Sequence, residues 1–228
     1  MKIIFDIWIA SLQKAGGISR YWSGLLNSLA EQDVDYDVFG ELINENLFLS
    51  NKLWEQNAAN IHLSHSLYKR FLKVNIPNHT KYDIFHTSYL YRPRHSNLKY
   101  CTTVHDLMYF KHDHRWQSKI YRTQFKNAIR QSNAIICISE ATKYDLLHYF
   151  PDIEGKKINV IHNGVDDIFY DNTHKKNSLL QSINLSKKYI LYVGSRGECK
   201  NFDFVIKVSQ SAYFKDNNIN LLCVSSLI

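Results

Sequence analysis

The stretch of residues 133–166 restricts the fold most, because it combines a buried strand, a helix and a second strand. Residues 134–138 form a short, unbroken apolar run, which is typical of a strand covered on both faces. Ser139 is a good N-cap for the helix that follows, and Pro151 ends that helix. Residues 157–161 form a second apolar run that closes on an Asn-Gly pair. This order predicts one β-α-β unit of a parallel sheet.

The same alternation runs through the earlier part of the chain. Gly16 and Gly17 precede a helix whose apolar residues, from Ile18 to Leu29, form one stripe at helical spacing. Further strands are predicted over residues 2–9, 36–39, 83–86 and 100–104, and a basic helix over residues 114–131. Residues 41–80 give no clear pattern beyond short apolar clusters. The alternation predicts an α/β fold with a Rossmann-like, doubly wound parallel sheet.

A second strand-helix pattern starts near the end of the chain. Residues 189–194 read Y-I-L-Y-V-G and are followed by S-R-G-E-C-K-N. We therefore predict a first Rossmann-like domain over residues 1–170, a linker over 171–187, and the start of a second such domain, its first β-α-β unit, over 188–228. The ligand is expected in the cleft between the two domains.

In a doubly wound sheet, ligands bind beyond the carboxyl ends of the strands. Polar residues and glycines follow nearly every predicted strand at that edge: Gly16, Gly17, Thr87, Ser88, Tyr89, His105, Asp106, Ser139, Glu140, His162, Asn163 and Gly164. Because these positions share one edge of the sheet, we predict that they surround one binding site. We assign Gly16, Tyr89, Ser139, Glu140, Asn163 and Gly164 to the lining of the cleft.

The glycine pair and the His-Asp pair carry the candidate chemistry. Without a Cβ atom, Gly17 lets the free N–H groups of a helix end approach an anion or a sugar ring. His105 can hydrogen-bond to a substrate or exchange a proton with it, with Asp106 beside it. The structural alternatives are an ordinary loop-to-helix turn at Gly16-Gly17 and a histidine bonded to the backbone at a strand end.

Arg196 and Lys200 follow the strand of the second domain at a glycine-containing turn. The planar fork of an arginine and the point charge of a lysine at a helix start suit a diphosphate group. Two solvated basic side chains are the alternative.

Two groups of residues suggest a metal but lack the required context. His112, Asp113 and His114 lie on a polar connection without the order of a known zinc motif. Asp33, Asp35 and Asp37 resemble a D-x-D metal motif but precede a strand, at the opposite edge of the sheet. We predict a solvated turn there, and no metal site or cofactor.

A net charge of +7 favours an acidic partner: phosphate, nucleic acid or an anionic membrane. No nucleic-acid motif accompanies the basic residues, so a nucleic-acid partner is not predicted. Basic and aromatic residues concentrate at 68–73, 92–94 and 111–126. They suit a solvated face or, as the functional alternative, a peripheral contact with an anionic inner membrane.

The start of the chain reads as a strand and not as a signal peptide, and no apolar stretch reaches the ~20 residues of a membrane span. The four cysteines are scattered beside predicted strands, as expected of reduced thiols. We therefore expect a cytoplasmic protein, with membrane association at the cytoplasmic face as the alternative.

Together, these motifs resemble those of the family 4 ("group 1") glycosyltransferases of the GT-B fold. The matching segments, in order, are A-G-G-I-S-R-Y, T-V-H-D-L, C-I-S-E-A-T-K-Y-D-L, V-I-H-N-G-V-D and Y-I-L-Y-V-G-S-R-G-E-C-K-N. The resemblance implies two Rossmann-like domains, one for a saccharide or lipid-linked acceptor and one for a nucleotide-sugar donor. The sugar would move with retention of configuration and without a bound metal.

By this resemblance, Gly17 would lie near the donor phosphate or the acceptor, and His105 would touch the transferred sugar. Arg196 and Lys200 would neutralise the diphosphate as it leaves. The segments around H-N-G-V-D and K-N are most similar to mannosyl- and hexosyltransferases of bacterial surface polysaccharide and lipopolysaccharide assembly. GDP-mannose is therefore the expected donor, with a UDP-sugar as the alternative.

The chain departs from the family pattern in its second domain. About another 150 residues, a normal domain size, would be expected there. The family's nucleotide-base pocket and paired glutamates have no counterpart. We therefore expect a truncated glycosyltransferase that is inactive alone. A non-catalytic acceptor-binding or scaffolding remnant is the alternative.

Overall fold

The structure is a computed structural model that describes residues 1–12, 15–32, 34–40, 58–59, 73–76, 78–95, 97–111, 116–165, 188–196 and 200–224. The chain divides into two units, Met1–Gly164 and Val165–Ile228, and each is described by itself. Several predicted features lie outside the described residues: most of 41–80, Asp33, His112, Asp113, His114, Cys199 and the linker over 171–187.

A seven-stranded sheet, parallel throughout, forms the centre of the first unit in the order β3-β2-β1-β4-β5-β6-β7. The strands are β1 (Ile3–Asp6), β2 (Tyr36–Phe39), β3 (Ala58–Ala59), β4 (Ile84–Thr87), β5 (Lys99–Val104), β6 (Ala134–Cys137) and β7 (Lys157–Val160). The reversal of strand order at β1 and β4 is that of a doubly wound fold. The predicted α/β fold class is confirmed.

Helices follow the strands and cover both faces of the sheet. They are α1 (Trp8–Leu12), α2 (Gly17–Glu31), α3 (Met108–Lys111), α4 (Trp116–Gln131) and α5 (Glu140–Tyr149), with short 3-10 turns at His79–Lys81 and Pro151–Ile153. The apolar stripe of α2 buries Trp22 and Leu26. Ser139 is the N-cap of α5, as predicted, and its Oγ accepts a hydrogen bond from Thr142 N at 3.1 Å.

Two separate apolar clusters pack against the sheet. Phe5 joins the cluster that contains Trp22 and Leu26 of α2. Its neighbour Ile4 joins a larger cluster that contains Phe125 of α4 and residues of α5. Successive residues of a strand point to opposite faces, so the strand is buried on both sides. This two-sided burial explains the short, continuous apolar runs in the sequence.

The strand predicted over residues 2–9 is wrong in its second half. β1 ends at Asp6, and the chain turns at once into the short helix α1. The reason is the buried Asp6 carboxylate, whose Oδ1 accepts a hydrogen bond from Trp8 N at 3.2 Å and so begins a helical turn. Trp8 and Ile9 are buried, but in helical and not extended geometry.

The second unit contains one β-α-β unit, as predicted. β8 (Tyr189–Val193) pairs in parallel with β9 (Asn220–Val224), and helices at Phe202–Ser209 and Ala212–Asp216 connect them. Gly194 follows β8 with a φ of 150°. This is a backbone conformation that residues with a side chain rarely adopt, so the turn needs glycine.

Within the described ranges, no helix has both the length and the apolar character needed to cross a membrane.

Candidate active site

A cavity of about 420 Å³ opens in the first unit at the carboxyl edge of the sheet. Its walls come from α1, the first turn of α2, the loop after β4, the end of β5, α3 and α4. The position is the one at which doubly wound sheets bind ligands. Four of the predicted residues line it: Ser88, Tyr89, His105 and Asp106.

His105 follows directly after β5 and is largely buried in the cavity wall. Burial lowers the pKa of its imidazole to about 4, and the nearby Asp106 carboxylate only partly opposes that effect. The ring is therefore neutral at pH 7. Its Nε2 is buried and finds no hydrogen-bond partner among the described residues. A buried polar atom without a partner is costly, so a ligand that supplies one gains affinity.

Asp106 is exposed and has a structural contact of its own. Its Oδ1 accepts a hydrogen bond from Met108 N at 3.1 Å, at the start of α3. The carboxylate therefore helps to begin α3 and still contributes a negative charge to the cavity. Met108 and Tyr109 of this helix are each about two-fifths exposed (39% and 40%).

Behind His105 lies a chain of side chains that the sequence analysis did not identify. The ring of Tyr21 packs edge-on against His105, with 5.0 Å between the centroids. The Tyr21 hydroxyl is 3.4 Å from Thr103 Oγ1, and that oxygen is 2.9 Å from Nε2 of the buried His86. Burial, together with the neighbouring His105, lowers the pKa of His86 to about 3. These contacts hold the wall behind His105 in one arrangement.

The opposite side of the cavity depends on Asp6, which is fully buried. Its carboxylate accepts hydrogen bonds from Trp8 N, from Ser88 N at 3.1 Å and from Ser88 Oγ. Ser88 Oγ in turn accepts from Ile9 N at 3.2 Å. Burial raises the pKa of Asp6, while these hydrogen bonds lower it, and burial is the larger effect. One carboxylate thus joins the start of α1 to the loop after β4.

The loop after β4 has an unusual backbone that Thr87 supports. Thr87 Oγ1 accepts hydrogen bonds from Tyr89 N at 3.3 Å and Tyr91 N at 3.0 Å. Leu90 between them has a φ of 62°, which is uncommon for a residue with a bulky side chain. Leu90 is nevertheless buried and lines the cavity. The local strain, of order 1–3 kcal/mol, is offset by the surrounding contacts.

Gly16 and Gly17 begin α2, and Ile18 lines the cavity beside them. Gly16 has an extended backbone, and it forms no side-chain cap to the helix. A Cβ atom built on Gly17 meets no atom of the described residues within 4 Å. The described part of the chain therefore does not require glycine at position 17 for reasons of space.

The remaining predicted residues of the first unit do not line the cavity. Ser139 caps α5, and Glu140 is exposed in its first turn. Asn163 and Gly164 are exposed in the segment after β7.

The second unit carries the two predicted basic residues beside a helix N-terminus. Arg196 and Lys200 are both exposed and precede the helix Phe202–Ser209. The Arg196 guanidinium lies 5.7 Å from the centroid of the Phe202 ring. This stacking favours one orientation of the guanidinium and leaves its N–H groups available to an anion.

The described residues contain no group of three or more His, Cys, Asp or Glu side chains placed to hold a metal ion. Asp35 and Asp37 lie at the amino end of β2, and Lys2 Nζ contacts them at 3.1 and 3.2 Å. Asp37 also accepts a hydrogen bond from the Tyr82 hydroxyl at 2.7 Å. These two carboxylates are thus engaged by the protein at the edge of the sheet opposite the cavity.

Comparison with known proteins gives one family. The model of Glycosyltransferase Family 4 matches residues 15–168, about two thirds of the chain. The match runs from the glycine pair before α2, through the cavity, to the segment after β7. No curated protein sequence matches the chain.

Proposed function

The chain belongs to Glycosyltransferase Family 4, and from this membership we propose that it transfers a hexose from a nucleotide sugar to a saccharide acceptor. The observation that carries the proposal is the cavity that contains His105, whose buried Nε2 has no protein partner within the described ranges. The proposed donor is GDP-mannose, with a UDP-sugar as the alternative. The proposed acceptor is a growing bacterial polysaccharide or a lipid-linked saccharide.

The chemistry of His105 favours a hydrogen-bonding role. A general base works best when its pKa lies near the operating pH, and a pKa of about 4 makes His105 a weak base at neutral pH. A neutral imidazole can still donate or accept one hydrogen bond at each nitrogen. We therefore propose that His105 binds a hydroxyl of the transferred sugar and orients it, with no proton transfer.

Departure of the nucleoside diphosphate requires positive charge. In the proposed reaction, the bond between the sugar and the diphosphate breaks, the oxygen of the acceptor hydroxyl bonds to the same carbon with retention of configuration, and the proton of that hydroxyl passes to the departing diphosphate oxygen. Arg196 and Lys200 would neutralise the diphosphate beside the N-terminus of the helix Phe202–Ser209. Because these groups are fixed cations and a helix dipole, the proposed reaction needs no metal ion.

We propose that the reaction takes place in the cytoplasm, with association at the cytoplasmic face of the inner membrane, where lipid-linked acceptors would be reached, as the alternative. The net charge of +7 and the exposed Lys119 and Lys126 on α4 support a peripheral contact with anionic lipid. Sedimentation with vesicles of neutral and of anionic lipid tests this contact. Equal sedimentation with both would contradict it.

Calorimetry and product analysis test the proposed activity. The purified chain is titrated with GDP-mannose, UDP-glucose, GDP and UDP, and transfer to saccharide acceptors is followed by mass spectrometry, with and without EDTA. We expect His105→Ala to lower transfer about tenfold to a hundredfold, because one hydrogen bond to the sugar is lost. EDTA should leave the rate unchanged.

Arg196→Ala should weaken nucleoside diphosphate binding by a similar factor, since a charged hydrogen bond is removed. Lys207→Ala is the matched control, because Lys207 is an exposed cation in the last turn of the same helix. A folded chain that binds nucleoside diphosphates but turns over no nucleotide sugar would agree with the expectation that it is inactive alone, and a folded chain that binds none of them would overturn the proposal.

A further inference from the structure

The orientation of the His105 ring depends on the side chains packed against it. The torsion that turns an imidazole about its Cβ–Cγ bond is soft and has two broad minima. A hydrogen bond at a ring nitrogen would fix the ring, but Nε2 of His105 is buried and has no partner among the described residues. An unpartnered buried nitrogen is costly, so an unrestrained ring would turn to bring Nε2 to water. Packing must therefore hold the imidazole in its observed orientation.

Tyr21 supplies such a contact. Its ring and that of His105 have centroids 5.0 Å apart and planes at 82°, which is the edge-on arrangement that aromatic pairs favour. Tyr21 is itself half-buried, and burial raises the pKa of its hydroxyl, which therefore stays neutral at pH 7. A rigid, neutral ring against the imidazole restricts its rotation and keeps water away from it. This burial agrees with the lowered pKa of His105, which the carboxylate of Asp106 only partly opposes.

The fold places Tyr21 where it reaches both His105 and Thr103. Thr103 and His105 lie two positions apart at the end of β5, so their side chains point to the same face of the sheet. Tyr21 on α2 covers this face, with its ring on His105 and its hydroxyl 3.4 Å from Thr103 Oγ1. That distance is long for a hydrogen bond between hydroxyls, whose usual range is ~2.5–3.0 Å. The packing of the ring therefore contributes more than the hydroxyl.

Thr103 is in turn held from the core. Its Oγ1 lies 2.9 Å from Nε2 of His86, whose ring packs between those of Phe5 and Trp22. These residues are buried in β1, β4 and α2. Side chains that are locked by the core can hold a functional group in one geometry. The contact between Tyr21 and His105 thus rests on a rigid part of the first unit.

We propose that Tyr21 is a positioning residue, which acts through His105 by holding the imidazole in one orientation in the cavity wall. The assignment rests on the proposed function in one respect, namely that His105 meets the transferred sugar. Tyr21 itself is not among the residues that line the cavity, so its effect reaches the sugar through the imidazole. It lies four residues, about one turn, after Gly17 on α2. The same helix therefore carries both residues to the site.

NMR titration of the whole chain with isotope-labelled histidine tests the proposal. The His105 signal is the one that His105→Ala removes, and its pKa should be about 4 in the wild type. Tyr21→Leu keeps an apolar side chain on α2 but removes the ring. We expect it to raise the pKa of His105 by at least about 1, a tenfold change in proton affinity, because the imidazole turns towards water. An unchanged pKa of His105 would overturn the proposal.

Tyr21→Phe is the conservative variant, because it keeps the ring and removes only the long contact with Thr103. The pKa of His105 should stay at its wild-type value, and so should the nuclear Overhauser effects between the ring protons of His105 and residue 21. A change as large as that of Tyr21→Leu would contradict positioning by the ring. Tyr144→Leu is the matched control, since Tyr144 is 73% exposed on α5 and should not affect His105.

His86 is an internal control in the same spectra. Its pKa of about 3 should persist in Tyr21→Leu, because Phe5 and Trp22 still cover its ring. If the pKa values of His86 and His105 rise together, a general loss of structure explains the result, and the specific role of Tyr21 is refuted.

A transfer assay separates positioning from direct contact with the sugar. Tyr21→Leu should lower transfer about tenfold in the wild-type background, because a displaced imidazole no longer meets the sugar hydroxyl. In a His105→Ala background the same substitution should have no further effect, since it acts through that ring. Full additivity of the two losses would overturn the proposal.

The NMR results do not depend on turnover, so the two proposals can fail separately. If no nucleotide binds but Tyr21→Leu raises the pKa of His105 as expected, Tyr21 positions the ring and the proposed function fails. If the chain transfers sugar and the pKa of His105 does not respond to Tyr21→Leu, the function stands and the positioning role is wrong.

Discussion

Replacement of His86 by phenylalanine tests whether the structure keeps this histidine neutral. His86 is buried in β4 between Phe5 and Trp22, whose ring centroids lie 5.5 and 4.8 Å from its own. Its Nε2 contacts Thr103 Oγ1 at 2.9 Å. Burial lowers its pKa from an ordinary value of about 6.5 to about 3. Phenylalanine keeps a ring of similar size and removes the titratable group.

The sign and size of the effect follow from proton linkage. Between pH 3 and 6.5 the unfolded chain protonates His86 and the folded chain does not, so the free energy of unfolding falls as pH falls. The slope is about 1.4 kcal/mol per pH unit, which gives a loss of about 2 kcal/mol at pH 5 relative to pH 7.5. His105 adds a second loss of the same sign, down to a pKa of about 4. Asp6, with a raised pKa, acts in the opposite direction.

Urea unfolding at pH 7.5, 6.0 and 5.0 measures this slope. The contributions of His105 and Asp6 are present in both proteins and cancel when His86→Phe is compared with the wild type. We expect the variant to lose about 2 kcal/mol less than the wild type between pH 7.5 and 5.0. His148→Gln changes an exposed histidine on α5 and is the control. Equal slopes for the wild type and His86→Phe would show that the folded chain protonates His86 easily.

Three further substitutions test the loops around the cavity. Gly17→Ala should change the free energy of unfolding by no more than about 0.5 kcal/mol, since the new Cβ meets no described atom. The same substitution should lower sugar transfer at least about tenfold by obstructing the donor. Unchanged transfer would contradict a role for Gly17. Ser139→Ala should cost about 1 kcal/mol in urea unfolding through the lost bond to Thr142 N, and no loss would refute the cap. Asp6→Asn should lower the free energy of unfolding by about 2–3 kcal/mol in the same assay. The amide nitrogen of asparagine cannot accept a hydrogen bond, so one of the bonds from Trp8 N and Ser88 N is lost. Wild-type stability would contradict the buried network around Asp6.

The sequence predicted the elements whose signals are local. The unit β6-α5-β7 has apolar runs of strand length, and a serine cap that acts as expected. The location of the binding site at the carboxyl edge of the sheet could also be predicted, because parallel strands end at the same edge. Tyr89, His105 and Asp106 therefore line one cavity in the structure, as their positions after β4 and β5 indicated.

Other parts of the site depend on contacts between distant segments. In the sequence, the apolar residues after Asp6 look like a continuation of β1. The Asp6 carboxylate that helps to end this strand is held by a hydrogen bond from Ser88, 82 residues away, and a sequence does not show such a contact. Tyr109 gave no functional signal, and Tyr121 was considered only as part of the basic and aromatic stretch 111–126, since a sequence does not show which face of α4 meets α3. The spacing of Tyr121 and Phe125, four residues apart on α4, was the one available indication that they share a face.

The cavity and the buried network under it form one structural unit. Asp6 fixes the loop after β4 through Ser88, and that loop supplies Tyr89 and Leu90 to the wall. On the other side, His86 of β4 forms a hydrogen bond with Thr103, which lies on the neighbouring strand β5 and lines the cavity. The two buried groups lie on β1 and β4, which are neighbours in the sheet. Substitutions at either position should therefore alter ligand binding without touching the ligand.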